Sequence, residues 1–300
     1  MGVKIPFRRE LDFEYGSVSE LSPLVRRVIA RNPSPFTFHG TGTYLIGRGN
    51  VAVIDPGPAD PAHVDAIFDA IEGERISHVL VTHTHLDHSP ACALVRDRCD
   101  APTYAFGPHG SGLADEGVQI EEGADRAFRP DNVVRHGDRI DGDGWTMECV
   151  YTPGHTSNHM CYALTEERTL FTGDHVMAWS TSVISPPDGD MKRYMESLEL
   201  LLERDDAQYW PTHGPAVLKP HAHVRAFIAH RREREQQIIA CIENGVDQIG
   251  AMVPQMYADL PEFMYPAAAR SVLAAVVFLV QRGELATDDP VDVKARYRLA

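Results

Sequence analysis

Val79-Leu80-Val81-Thr82-His83-Thr84-His85-Leu86-Asp87-His88 changes character within one residue. Its first four residues are aliphatic or β-branched and read as a buried strand. The six that follow supply three histidines and an aspartate. A short loop at the end of a rigid strand fixes the direction of each side chain, and imidazole and carboxylate are ligands for divalent metals. His83, His85, Asp87 and His88 are therefore expected to hold metal.

Outward from that stretch the chain alternates. Residues 37–46 and 51–55 read as two strands of a hairpin joined through Gly47-Arg48-Gly49-Asn50, the second ending in Asp55 beside Pro56-Gly57. A helix is expected over 61–73, with Asp60 as its cap, Pro61 in its first turn and Gly73 as its stop. Residues 87–99 also read as helical, which would set Asp87 and His88 near a helix N-terminus. The stretch 107–132 is rich in Gly, Asp and Glu and reads as an irregular excursion, a lid or a long loop. Strands are expected again near 133–135, 145–151, 159–164 and 169–173. An amphipathic helix over 191–204 and a short strand at 208–210 follow. Ligand-type residues at the ends of strands that alternate with helices predict an α/β layered fold with its site along one sheet edge.

After residue 218 the texture becomes helical, and a boundary is drawn there between a body, 1–218, and a C-terminal segment, 219–300. Helices are expected over 220–243, 246–260 and 267–283, then a small hairpin. Arg231-Arg232-Glu233-Arg234-Glu235 reads as a solvated stretch of the first helix. Three helices and a hairpin is the order of a winged helix. Residues 216–300 carry ten basic and ten acidic residues, so packing or oligomerisation is expected of this segment before nucleic-acid reading.

That balance leaves the whole net charge of −15 on the preceding part of the chain. An acidic body disfavours non-specific binding of polynucleotides, which depends on Lys and Arg neutralising phosphates. No apolar run reaches the length of a membrane span. The longest, 272–280, is expected to be a buried helix, and no membrane association is expected. Five cysteines without a Cys-x-x-Cys pair, and a charged N-terminal stretch, fit a reducing cytoplasm.

Three further segments place ligand types at strand ends: Thr152-Pro153-Gly154-His155-Thr156-Ser157-Asn158-His159, Phe171-Thr172-Gly173-Asp174-His175, and Trp210-Pro211-Thr212-His213-Gly214-Pro215. With Asp55 and the opening cluster, these motifs resemble the metallo-β-lactamase-fold hydrolase superfamily, over residues 55–213. The resemblance implies a four-layer αβ/βα sandwich. It implies that His83, His85 and His155 bind one metal, that Asp87, His88 and His213 bind a second, and that Asp174 bridges them. Asp55 is implied as a support that orients the ligands, which suits the need of a ligand imidazole for a partner on its other nitrogen. His159 and His175 are expected to support rather than ligate, and the remaining histidines to have ordinary surface or core roles.

A ligand set without cysteine suits Zn²⁺, Mn²⁺ or Fe, and two Zn²⁺ are favoured. Two divalent ions outweigh two aspartates and a bridging hydroxide by one formal charge, so such a centre can make hydroxide near neutral pH. That hydroxide is the expected nucleophile, with Asp87 and Asp174 as the catalytic carboxylates that position it and can take its proton.

Only about 39 residues separate Asp174 from His213, which leaves no room for the large insertion of the cleavage-factor nucleases. The Lys and Tyr pattern that binds glutathione in glyoxalase II is not evident, although Thr-Pro-Gly-His-Thr resembles its turn. Asn32-Pro33-Ser34-Pro35, Thr-Pro-Gly-His-Thr and the helical tail after Thr-His-Gly-Pro resemble the β-lactamase-like protein 2 branch. That branch carries a C-terminal winged-helix-like domain and includes an endoribonuclease. Three activities follow as expectations. The first is hydrolysis of a small ester or thioester metabolite by the dinuclear centre. The second is single-strand endoribonuclease activity on RNA. The third is a mononuclear iron persulfide dioxygenase using His83, His155 and Asp174. β-Lactamase activity is not expected, because no export signal is read.

Overall fold

Strands that bury both faces need cover on both, and here each of two sheets is packed between the other sheet and helices. The computed structural model describes residues 2–113 and 123–300. The first sheet has seven strands in chain order: β1 (Val18–Glu20), β2 (Val25–Ile29), β3 (Gly42–Ile46), β4 (Asn50–Ile54), β5 (Arg75–Leu80), β6 (Thr103–Ala105) and β7 (Asn132–Val133). Helix α1 (Pro61–Asp69) carries the chain from β4 to its parallel neighbour β5, and α2 (Ala91–Arg96) from β5 to β6. The second sheet is built from β8 (Arg139–Asp141), β9 (Thr146–Tyr151), β10 (Met160–Leu164), β11 (Thr169–Gly173) and β12 (Gln208–Pro211), in the spatial order β12-β11-β10-β9-β8. Helix α3 (Met191–Leu202) crosses from β11 to β12, which run parallel.

Side-chain alternation sorts residues into layers. From β3 and β4, Tyr44, Ile46, Ala52 and Ile54 meet Met147, Met160, Tyr162 and Phe171 of the facing sheet. The intervening Leu45, Val51 and Val53 pack outward on Val64 and Ile67 of α1 and Val95 of α2. On the far side, Val150, Cys161 and Leu170 pack on Tyr194 and Leu198 of α3. Helix, sheet, sheet, helix is the layered sandwich expected.

Three differences from the sequence reading concern the site. Helix α2 starts at Ala91 rather than 87, because Asp87 to Pro90 form turns; Asp87 and His88 project from a loop instead of a helix end. The hairpin strand β3 begins at Gly42 rather than 37, after a tight passage at Phe38–Gly40 with positive φ at both ends. The centre of the 107–132 excursion, residues 114–122, lies outside the described residues, while Asp125 and Phe128 beyond it are buried.

After β12 come α4 (Pro220–Glu243), α5 (Ile249–Met256), α6 (Tyr265–Gln281) and the antiparallel pair β13 (Leu285–Ala286) and β14 (Arg298–Leu299). The first half of α4 joins the core around α3 through Val224, Phe227 and Ile228. Its second half packs with α5 and α6 through Ile238, Met252, Val272 and Val276. The middle of α4 is not solvated as its charges suggested. Arg231 and Glu235 are both 5% exposed, Glu235 pairing with Arg282 at 3.0 Å. The apolar run is also longer than 272–280. With the turn before α6, Glu262–Gln281 spans 20 residues at mean hydropathy 1.8, enough to cross a membrane by length and composition. Here Val272, Leu273, Val276 and Leu279 face the C-terminal core.

Candidate metal centre

The loops after β5, β9, β11 and β12 meet at one end of the sandwich, and each brings part of the site. Behind them stands Asp55, which follows β4 and is fully buried. Its Oδ1 accepts from the Thr82 amide at 2.8 Å. Its Oδ2 accepts from the Thr82 hydroxyl at 2.8 Å, the Thr212 hydroxyl at 2.7 Å and His88 Nδ1 at 2.9 Å. One carboxylate thus ties two of these loops, those after β5 and β12, to the end of β4. Asp55 adopts the left-handed backbone, φ 50°, a cost of order 1–3 kcal/mol that persists because the surrounding bonds dictate it.

Four of the five donor imidazoles are oriented by a bond on the nitrogen facing away from the centre, while His85 turns its Nδ1 inward. His88 Nδ1 donates to Asp55, His155 Nδ1 to Val183 O at 2.6 Å, and His213 Nδ1 to Gly40 O at 3.2 Å. The Thr82 hydroxyl gives its proton to Asp55, so it accepts from His83 Nδ1 at 3.1 Å. These bonds leave the Nε2 atoms of all four rings directed inward.

Two sets converge. His83 Nε2 and His155 Nε2 lie 3.0 and 3.2 Å from His85 Nδ1. Around the second set, Asp87 Oδ2 is 3.1 Å from His213 Nε2 and 3.5 Å from His88 Nε2. Asp174 stands between them: its Oδ2 is 3.8 Å from His155 Nε2 and 3.7 Å from His88 Nε2, and its Oδ1 3.4 Å from His213 Nε2. The donor atoms of His83, His85 and His155 fall within 4.8 Å of one another, as do those of Asp87, His88 and His213, and those of His83, His88 and Asp174.

The electrostatics suit cations. Burial, with neighbouring imidazoles, holds His83 well below its ordinary range and His85 down to about 3, so both rings are neutral donors. Burial alone would also lower His213, but Asp174 and Asp87 raise it to about 10; the same kind of balance, against Asp87, Asp55 and Asp174, lifts His88. Asp87 and Asp174 resist the upward push of burial because His88 and His213 hold them well below the usual carboxylate range. Positive charge is therefore stabilised where the inward lone pairs meet. His88 Nε2, His213 Nε2 and Asp174 Oδ1 are buried without a hydrogen-bond partner among the described residues; the 3.1 Å approach of Asp87 to His213 is not aligned as one. Leaving three such atoms unsatisfied is costly, and a bound cation satisfies all of them. The residues fit a metal.

His159 is fully buried and lies outside the donor sets. Its Nε2 accepts from the Asp174 amide at 3.2 Å, and its Nδ1 donates to the Thr152 hydroxyl at 2.9 Å. Gly173 must be glycine for this contact: its φ is 50°, and a Cβ would sit 2.5 Å from His159 Nε2. His175 is fully buried and packs edge-on to Tyr194. The sequence reading passed over Thr82 and Thr212. A signal was present, since Thr-His occurs at 82–83, 84–85 and 212–213. Nothing in the sequence marked Val183, which acts through its carbonyl.

Above the donors opens a cavity of about 410 Å³. His85, Asp87, His155 and Asp174 form its floor; Phe36, Leu86, Met177, Trp179, Val183 and Met264 dominate its walls. No Lys or Arg is among its described lining residues. Trp179 is braced by stacking on Phe38, with centroids 4.8 Å apart. Met264, in the turn before α6, brings the C-terminal segment to the site. A groove of about 550 Å³ between α3 and α4 is larger but lined by Glu199, Arg225, Arg232 and Glu233, away from the donor sets.

Residues 37–213 match the model of the Metallo-beta-lactamase superfamily. The chain is 31% identical over 287 residues to a Beta-lactamase-like protein 2 homolog of Drosophila melanogaster, covering 92% of this chain and 94% of that one. It is 30% identical over 252 residues to the atrochrysone carboxyl ACP thioesterase AgnL7 of Paecilomyces divaricatus, covering 83% and 74%. The crystal structure of a Beta-lactamase domain protein from Burkholderia ambifaria superposes with a TM-score of 0.78 at 22% identity, covering 95% and 94%.

Proposed function

The chain belongs to the metallo-beta-lactamase superfamily and is a metal-binding hydrolase of it, and we propose that it hydrolyses an ester or thioester whose acyl part is apolar, using two zinc ions. The observation that carries this reading is the chamber. It joins a floor of metal donors to aromatic and aliphatic walls without a cationic side chain. An uncharged acyl group gains from such walls, whereas a phosphodiester backbone would find no Lys or Arg among the described lining residues to neutralise it. The likeness to a protein named as an acyl carrier protein thioesterase supports the same class.

His83, His85 and His155 would hold one ion and Asp87, His88 and His213 the other, with Asp174 shared. Metal held by these residues would supply a water of near-neutral pKa and a Lewis acid for the scissile carbonyl. The chain's own part is to place and to exclude. Phe36, Leu86, Trp179 and Met264 hold the acyl group and keep bulk water from the floor. Asp87 and Asp174 are the carboxylates that would position a water at the floor and take its proton. Asp55 and His159 keep His88 and the Asp174 backbone in place. A mononuclear iron reading would leave the Asp87, His88 and His213 set without a task.

The deciding experiment gives metal-replete protein a panel of acyl-CoA and acyl-glutathione thioesters, lactones, phosphodiesters and single-stranded RNA. Turnover of thioesters or lactones that vanishes in Asp174→Ala is expected. RNA cleavage that vanishes in the same variant would replace the proposal, and one iron per chain by elemental analysis would end the two-zinc model.

A further inference from the structure

A single buried cation links the C-terminal helix α4 to the candidate metal centre. Arg231 has no carboxylate within ion-pairing distance among the described residues, whereas its neighbours Arg232 and Glu235 pair with Glu199 and Arg282. Its Nη2 donates to Ser182 O at 2.5 Å, and the guanidinium carbon lies 5.1 Å from the Tyr194 ring centroid. A guanidinium taken out of water without a carboxylate is costly unless its protons are used. Here a backbone carbonyl takes one proton and an aromatic face covers the group, while Nε is buried without a hydrogen-bond partner among the described residues.

The next carbonyl along the chain, Val183 O, is the acceptor that orients His155. Peptide planarity leaves only φ and ψ of Val183 between the two carbonyls, and its β-branched side chain is half-buried and lines the cavity wall. The same segment is tied to the turn after Asp174: the hydroxyls of Ser182 and Tyr194 both donate to His175 O, at 2.8 and 2.9 Å. Residues 182–183 are thus fixed by α4 on one side and aim a ligand imidazole on the other.

We propose that Arg231 is a positioning residue for His155, setting through the 182–183 carbonyls the direction in which His155 Nε2 meets a metal. The inference rests on His155 being a ligand. The test is Zn²⁺ titration of metal-stripped, full-length protein against a chelating dye, with Co²⁺ binding followed by its visible absorption. Arg231→Met is expected to weaken the affinity of the His83, His85 and His155 set by about 10- to 100-fold, the range for losing a partner that orients a ligand, and to change the Co²⁺ spectrum. Arg231→Lys, which keeps a charge and a donor, is expected to recover most of that loss and stay about threefold weaker than wild type. Arg232→Met, exposed on the same helix, is expected to match wild type. A folded Arg231→Met variant with wild-type affinity and spectrum overturns the proposal, even if its melting temperature falls. Should that variant not fold, wild-type affinity and spectrum in Arg231→Lys overturn it instead. If unsubstituted protein takes up no metal, the reading of the centre fails and this proposal with it; if it does and Arg231→Met equals it, the proposal alone fails.

Discussion

Replacing Asp55 by Asn changes one atom at the point where three segments of the site are joined. The amide keeps one acceptor. Placed where Oδ2 is, its oxygen still serves the Thr82 and Thr212 hydroxyls and His88 Nδ1, but its NH₂ then faces the Thr82 amide, donor against donor. A buried donor left without an acceptor costs about 1–3 kcal/mol. The three remaining bonds lose the charge that made them roughly twice as strong as neutral ones. A total of about 3–5 kcal/mol is expected, the range for breaking a buried charged pair. His88 also loses the negative partner on its outer nitrogen, so metal affinity at the Asp87, His88 and His213 set is expected to fall about 10- to 100-fold. Urea unfolding of the metal-stripped variant reads the first effect, and competition with a chelating dye the second. Thr212→Val, which removes one of the four bonds, provides a graded control at about 1 kcal/mol. An Asn variant within 1 kcal/mol of wild type and with unchanged metal affinity would show that Asp55 does not anchor the site.

Asp174→Ala takes away the carboxylate between the two donor sets; elemental analysis should find that most of the metal is gone, and retention of two ions per chain would contradict the shared role. Met264→Ala shortens the wall of the chamber contributed by the C-terminal segment. Loss of about 1–2 kcal/mol of apolar contact should lower kcat/KM for a long acyl thioester about five- to thirtyfold while sparing the acetyl thioester, and equal losses on both would argue against the wall. His63, buried and bonded to Thr43 at 2.8 Å, is lowered to about 4 by burial. The unfolded chain takes up this proton below about 6.5, so the contribution of neutral His63 is complete above that pH and is lost as pH falls toward 4, about 3 kcal/mol in all. Urea midpoints at pH 7 and pH 4.5 should lie closer together in His63→Gln than in wild type, and an unchanged gap would clear His63 of the effect.

The donors were readable in the sequence because each occupies a strand end, where an apolar run stops at a His or Asp and period-two patterning breaks off. The layered fold was readable for a related reason: β4 and β10 are apolar on both faces over most of their length, which demands cover on both. Boundaries that depend on turn geometry were not legible. The late start of α2 after Asp87, and the tight passage at Phe38–Gly40, are set by contacts with distant segments. The burial of Arg231 was invisible for the same reason, since a run of five charged residues reads as solvent-facing until the partner of each is known. Val183 left no trace at all, because its contribution is a carbonyl that every residue owns.

The chamber takes its floor from residues 85–174 and one part of its wall from Met264, about ninety positions further along the chain. One part of the chamber wall is therefore written in a stretch of its own, apart from the donors and from the wall residues that lie among them. A substitution in the turn before α6 can alter the choice of substrate while the donors remain as they are, so selection on preference and selection on rate need not compete for the same codons.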